Sequence, residues 1–160
     1  MVSLRVLTAE DWLLWEKTRV AALAEAPHAF KSRLDDWHRG GREQWRAQMG
    51  IPGSYNVVAL RGDDLVGMVR GVPGDGETCE LRSLWVRPDL RGEGLGDRLI
   101  EAVATWGQKS GFVALKLAVI PGNEPALSLY RRHGFSIAEE AGELLPDGVI
   151  RELVMVKRLR

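Results

Sequence analysis

Long apolar runs are missing from this 160-residue chain, and so is a surplus of either charge. No stretch reaches the roughly 20 apolar residues that cross a bilayer. Lysine plus arginine and aspartate plus glutamate both count 22. A nucleic-acid binder normally carries a basic excess, so the balance argues against one while allowing a locally positive cleft. There is one cysteine, Cys79, which leaves no partner for an intrachain disulfide. The three histidines, His28, His38 and His133, lack the spacing of a metal-ligand set, and no metal is expected. The opening residues MVSLRVLTAEDW place no apolar core behind a basic start, so no secretory signal is expected and the expected location is cytoplasmic. Repeats, low-complexity tracts and linkers are also lacking, so a single domain over 1–160 is expected.

What is present is an ordinary globular balance of 45% hydrophobic and 28% charged residues, enough for one substantial core. A short strand over 3–7 is followed by Thr8, an N-cap with Asp11 three residues later as its capping-box partner. The segment AEDWLLWEKTRVAALAEA then predicts a helix, with Trp12, Trp15, Arg19, Leu23 and Ala26 on one face and Pro27 ending it. A second helix is expected over 34–49, with the pair Gly40-Gly41 weakening it. Two apolar runs around RGDD predict a hairpin, and TCELRSLWV a further strand. In that strand Leu81, Leu84 and Val86 do not alternate, which implies either a strand covered on both faces or a bulge. Leu95, Leu99, Val103 and Trp106 repeat at helical spacing over 95–109, and Gly111 stops that helix. FVALKLAVI predicts a buried strand. Asn123 opens another helix, Pro125 sits in its first turn, and Gly134 follows its end. Two strands around Pro146-Asp147-Gly148 complete the order β-α-α-β-β-β-α-β-α-β-β.

The most informative segment is VRPDLRGEGLGDRL, residues 86–99. A strand ends, small and basic residues follow, and a helix begins. Gly92, Gly94 and Gly96 remove side chains where backbone N–H groups must converge. The helix adds free amino-terminal donors and the positive end of its dipole, and Arg91, with Arg87, adds charge. This suits a phosphate or diphosphate, each charge-assisted bond contributing about 1.5–3 kcal/mol. A plain strand-to-helix turn also needs glycine. The spacing is not the G-x-G-x-x-G of a dinucleotide site, and no acid for a ribose follows, which argues against a nicotinamide-dependent enzyme.

The run resembles the acetyl-CoA motif of GNAT N-acetyltransferases, Arg/Gln-x-x-Gly-x-Gly/Ala, with Arg91, Gly94 and Gly96 in its core positions. A second element of that family, N-x-x-A-x-x-L-Y-x-x-x-G-F, is matched by Asn123, Ala126, Leu129, Tyr130, Gly134 and Phe135. The resemblance implies an α/β fold of the acyl-CoA N-acyltransferase type: a mixed central sheet splayed between the fourth and fifth strands and flanked by about four helices. Acetyl-CoA, the implied co-substrate, enters the splayed gap between the strand holding Leu84–Val86 and the strand holding Leu115–Val119, and its pantetheine arm pairs with main-chain groups there like an added strand. The coenzyme contacts it implies are Leu84, Trp85, Val86, Arg91, Gly92, Glu93, Gly94, Leu95, Gly96 and Asp97 on the first motif, and Asn123, Ala126 and Tyr130 on the second.

Direct acetyl transfer to an amine asks for a group that takes the ammonium proton, one that protonates the departing thiolate, and donors for the developing oxyanion. By the resemblance Tyr130 is the acid, because a phenol holds its proton at neutral pH. Glu80, on the strand before the loop, is the candidate base, acting directly or through a water. A glutamate simply paired with Arg82 is the alternative. The N–H of Val86 or a neighbour is the candidate oxyanion donor. Asn123 either caps its helix or binds the pantetheine amide, or does both. Cys79 has no identifiable base partner and reads as a small buried thiol.

By family analogy the early helices and the HAFKSRLDDW loop form one wall of the acceptor site and the last hairpin another. Phe30, Asp36 and Trp37 are the candidate acceptor contacts, Trp37 with Asp35 or Asp36 receiving a cationic amine. His28, His38, Asp35 and Asp36 also compete as bases, and equally read as solvated loop residues. Trp12 and Trp15 read as packing of the first helix on the sheet. A small-molecule primary amine is the expected acceptor, with a protein α-amine or lysine as the alternative and a non-catalytic acyl-CoA sensor as the alternative of another class. A homodimer through the strand VIRELVMVKRL is also expected, though its terminal Lys157, Arg158 and Arg160 could block such an edge.

Overall fold

The computed structural model describes residues 1–25, 43, 47, 50–145 and 147–159. The helix expected over 34–49 lies outside the described residues except for Glu43 and Ala47, both of which are helical. So do Phe30, Asp35, Asp36, Trp37, His28 and His38.

Seven strands form one sheet in the order β1-β2-β3-β4-β5-β7-β6. They are β1 (Val2–Leu7), β2 (Tyr55–Arg61), β3 (Asp64–Pro73), β4 (Thr78–Val86), β5 (Ala114–Val119), β6 (Ser136–Leu144) and β7 (Arg151–Arg158). Every neighbouring pair is antiparallel except β4 with β5, which is parallel. A parallel pair needs a crossover, usually helical, and here the helix α2 (Leu95–Lys109) supplies it. The other helices among the described residues are α1 (Trp12–Glu25) and α3 (Glu124–Arg132).

The helix predictions for 95–109 and for the stretch after Thr8 match the structure. Before α1 the chain makes a 3-10 turn, Ala9–Asp11, and the Asp11 carboxylate accepts the Thr8 N–H at 2.9 Å, the capping-box bond expected from the sequence. α1 buries Trp15, Thr18, Arg19, Ala22 and Leu23, a stripe of helical period.

Side-chain alternation along the strands divides the core in two. Val57, Ala59 and Val69 face α2 and pack with Leu95, Leu99, Ile100 and Val103. Val58, Met68 and Trp85 face α1 and pack with Trp15 and Ala22. Each fully buried aliphatic side chain of this kind contributes about 1.5–3 kcal/mol. On the α2 side the sheet carries Gly71 because a Cβ there would stand 2.7 Å from the Trp106 ring. That ring stacks on Tyr55 at a centroid distance of 5.7 Å.

The irregular pattern of β4 has its explanation in a bulge. Met68 pairs with Trp85 but Arg70 pairs with Arg82, so β4 holds one residue more than β3 across this step. Ser83 lies at the extra position with φ +60°, a left-handed conformation unusual for serine. The insertion shifts the parity of the strand. Leu81, Leu84 and Val86 therefore all pack on the α2 side, while Trp85 turns to α1.

One expectation needs correction. The strand VIRELVMVKRL is not an edge: β7 is paired on both sides, with β5 and with β6. The carboxy-terminal edge of the sheet is β6, which carries Glu139, Glu140 and Glu143. A dimer built edge to edge at this end would have to use β6.

Candidate functional site

The site begins where β4 and β5 part. They pair only at Thr78 with Ala114, Cys79 with Leu115 and Glu80 with Lys116. Yet β4 continues to Val86 and β5 to Val119. At about 3.3 Å per residue, some 20 Å of the β4 edge is left without a strand beside it. Hydrogen-bonded and non-bonded pairs alternate in an antiparallel ladder. Arg87 donates to the Val66 carbonyl at 2.8 Å, and Gly67 lies opposite Val86. The N–H and C=O of Val86 therefore point away from β3 and into the gap.

At the open end of the gap the chain makes the loop that the sequence singled out. A 3-10 turn, Pro88–Leu90, leads to Arg91, then to Gly92 at φ +84° and Gly94 at φ +85°. A side chain would fit the space at both, but the left-handed backbone favours glycine. Gly96 is needed for a different reason: a Cβ there would stand 3.2 Å from Leu129 of α3 and 3.9 Å from Val86. That contact fastens the start of α2 to the end of β4 and to the helix bearing Tyr130. The first helical bond runs from Arg98 N–H to the Gly94 carbonyl at 3.1 Å, and the N–H groups of residues 92–97 donate to no described residue. These free donors, with the positive end of a 15-residue helix, form a cradle for an anion.

The charged residues of the loop are less free than the sequence suggests. Arg91 donates through Nε to the Val86 carbonyl at 3.0 Å and through Nη2 to Glu25 at 2.6 Å, bracing β4 against α1. Arg87 is paired in a fork with Asp89, at 2.6 and 2.8 Å. Asp97 receives His133 Nε2 at 2.6 Å and Arg132 at 2.9 Å, and these two partners hold its carboxyl below the usual range. Glu93 is exposed at the loop tip, while Leu95 is buried beneath it.

Tyr130 sits on α3 with its ring edge-on to Phe135 at 5.8 Å. It is 8% exposed, and burial pushes the phenol up to about 12. No described group bonds its hydroxyl. Asn123 precedes α3, but its side chain makes no capping bond, contrary to the reading of it as a cap. Only its carbonyl bonds the helix, accepting Leu127 N–H at 3.0 Å.

Glu80 lies at the crotch of the gap as the last residue of β4 paired with β5. Its carboxylate accepts Arg82 Nε at 2.8 Å, the pairing weighed as the alternative to a catalytic role. Cys79 points the other way, packed against Gly107 of α2. Burial pushes its thiol up to about 11, which suits a packing role. Among the described residues no three metal-ligating side chains come together, and no helix is long and apolar enough to cross a membrane.

Sequence reasoning did not single out Asn56 and Arg70, which register places in line with Arg82 of β4, and it read Arg19 only as part of a helix face. Arg70 is 1% exposed and Arg19 8% exposed. The signal was an arginine inside the apolar run VGMVRGV, at a position whose neighbours on both sides are buried.

The profile of the acetyltransferase (GNAT) family matches residues 12–135. This chain belongs to the GNAT acetyltransferase family. Among curated relatives, the L-methionine sulfoximine/L-methionine sulfone acetyltransferase of Pseudomonas aeruginosa is 32% identical over 109 residues, 61% of this chain and 59% of that protein. Other curated relatives are matched over about two-fifths of their length. Among solved structures, the ribosomal-protein-S18-alanine N-acetyltransferase of Escherichia coli superposes with a TM-score of 0.75 at 18% identity, over 99% of this chain and 94% of that one. The PaiA N-acetyltransferase of Thermoplasma acidophilum, solved with coenzyme A, gives 0.71 at 17% identity over 99% of both chains. These structural likenesses establish the GNAT fold.

The residues present suit a coenzyme A molecule on three counts. The N–H groups of residues 92–97, unbonded to any described residue, are donors of the kind a diphosphate needs. The strandless edge of β4 matches an extended amide-bearing arm. Tyr130 stands on α3, whose Leu129 comes beside Gly96 at the start of α2.

Proposed function

We propose that this chain moves an acetyl group from acetyl-CoA directly to the primary amine of a small molecule. The carrying observation is the parted β4 and β5, with a cradle of free N–H groups at the open end and Glu80 at the closed end. Bound acetyl-CoA supplies an activated thioester. The loop of residues 92–97 holds the diphosphate, and Asn123 and Ala126 flank the arm. The gap-facing N–H of Val86, or of Leu84 nearer the bulge, donates to the thioester oxygen as charge builds there. Glu80 receives the proton that the acceptor ammonium must lose before it can attack. Tyr130 keeps its own proton far above neutrality and returns one to the leaving sulfur. The match to a relative named for a small-molecule acceptor supports the acceptor class.

The test is coenzyme release from acetyl-CoA over a panel of small amines and of peptides bearing free α-amines or lysines. Turnover on one or more small amines, with peptides at least about tenfold poorer in kcat/KM, is the expected result. Peptides as the better acceptors would overturn the substrate class. Saturable acetyl-CoA binding with no turnover on any acceptor would overturn the enzymatic reading in favour of a sensor.

A further inference from the structure

A polar row crosses the α1 face of the sheet and ends at the gap. Strand register places Leu7, Asn56, Arg70 and Arg82 side by side on β1, β2, β3 and β4. The surroundings on this face are apolar: Val58, Met68, Trp85, Trp15 and Ala22. Arg70 donates Nε to Asn56 Oδ1 at 2.9 Å. Burial, together with the positive charges of Arg82 and Arg19, depresses its pKa, but a guanidinium stays charged at neutral pH. Like charges directly opposite in an antiparallel pair are destabilising, and buried charge is costly. Here the fold sets two arginines opposite one another and brings Arg19 of α1 within range of the charge on Arg70.

Of the two strand arginines, Arg82 is the one on the strand that borders the gap. Glu80 is the last residue of β4 paired with β5, and Arg82 is the next residue on the same face, the first beyond the point where the strands part. Unlike Arg70, the Arg82 side chain is 53% exposed, and its described partner is Glu80. The crotch thus presents the Glu80 carboxylate and the Arg82 guanidinium side by side, with Arg70 adding positive field one strand behind, about 5 Å away, and with Lys116 of β5 opposite Glu80 but paired to Glu140 at 2.6 Å.

Building on the acetyltransferase reading above, we infer that the acceptor is an amino acid or close analogue, whose carboxylate is received by Arg82 and whose amine is received by Glu80. A zwitterion entering here exchanges the Glu80–Arg82 pair for two ion pairs of the same kind. The flat fork of Arg82 suits a carboxylate, and Glu80 is then placed on the amine that must lose a proton. A plain amine engages Glu80 alone and leaves Arg82 uncompensated beside Arg70. A site with a fixed charge to pair rejects the analogue that lacks the counter-charge. Arg70 is a positioning residue: it acts through the field it adds at Arg82 and through its bond to Asn56.

The experiment is calorimetry on protein saturated with coenzyme A, so that it reads acceptor binding without needing turnover. The probes are the protein amino acids, each set against its decarboxylated amine and its methyl ester. At least one amino acid should bind tenfold or more tightly than both of its counterparts. In Arg82→Gln, with folding checked by melting temperature and coenzyme affinity, that ratio should fall toward one, and Arg82→Lys should recover part of it. Amines or esters that bind as well as the amino acids throughout, no amino-acid binding at all, or a ratio unchanged in Arg82→Gln would each overturn the inference. Carboxylate-dependent binding that survives while no acceptor in the coenzyme-release assay turns over would uphold this site and sink the enzymatic proposal instead.

Discussion

Tyr130 shows how burial sets chemistry at a single residue. Its ring is enclosed among Phe135, Leu127 and their neighbours, so ionisation is disfavoured and the proton stays on oxygen up to about 12. Tyr130→Phe keeps the packing and removes only the hydroxyl. It should lower kcat by about 100-fold and leave acetyl-CoA affinity unchanged, and single-turnover kinetics beside calorimetry separates the two effects. Unchanged turnover would remove Tyr130 from the mechanism. Asp97 has the opposite shift. His133 and Arg132 favour its charged form and lower its pKa from 3.8 in the folded chain. A depressed folded value means that Asp97 contributes stability above 3.8, lost as pH falls through the folded value. Melting temperature followed into acid should therefore fall more steeply for the wild type than for Asp97→Asn, and coincident acid limbs would contradict this.

At the scale of elements, glycines with different jobs join the loop to its supports. Gly94 is needed for its backbone, at φ +85°, in open space. Gly94→Ala should cost about 1–2 kcal/mol and weaken coenzyme binding, because the N–H groups on either side of it are the cradle. Thermal unfolding and calorimetry on the same variant check both, and coenzyme affinity equal to wild type would show that the cradle does not depend on that conformation. Gly71 is needed for space. Gly71→Ala would push its Cβ into the Trp106 ring and disturb the stack on Tyr55, at a cost of about 1–3 kcal/mol in denaturant titration with coenzyme affinity retained. The Ser83 bulge belongs to the same level. It turns Trp85 toward α1 and Val86 toward α2.

Over the whole molecule, the parts legible in the sequence were those encoded locally. Leucines at helical spacing over 95–109, the RGDD turn and the glycine after α3 each report on a few neighbouring residues, and each came out where expected. The two motifs around Arg91 and Tyr130 are also local, and they carried the family. The misreadings were of another kind. Asn123 has the residue type of a cap but not its bond. β7 has the alternation of an edge strand yet lies inside, because the order β5-β7-β6 is decided by where the last hairpin docks. Arg70 was not singled out in the sequence, since only register brings it against Asn56 and Arg82.

The sequence by itself determined the helices α1, α2 and α3, the RGDD turn, the glycine loop and membership of the GNAT acetyltransferase family, because periodicity, turn chemistry and motif spacing act over a few residues of chain. Only the tertiary structure decided how far β4 and β5 stay paired, which face each half of β4 shows after its bulge, and that Arg70 of β3 lies opposite Arg82 of β4 with Arg19 of α1 within range of its charge. Those facts depend on register between strands far apart in the chain, and register is settled by the packing of whole faces rather than by any one segment.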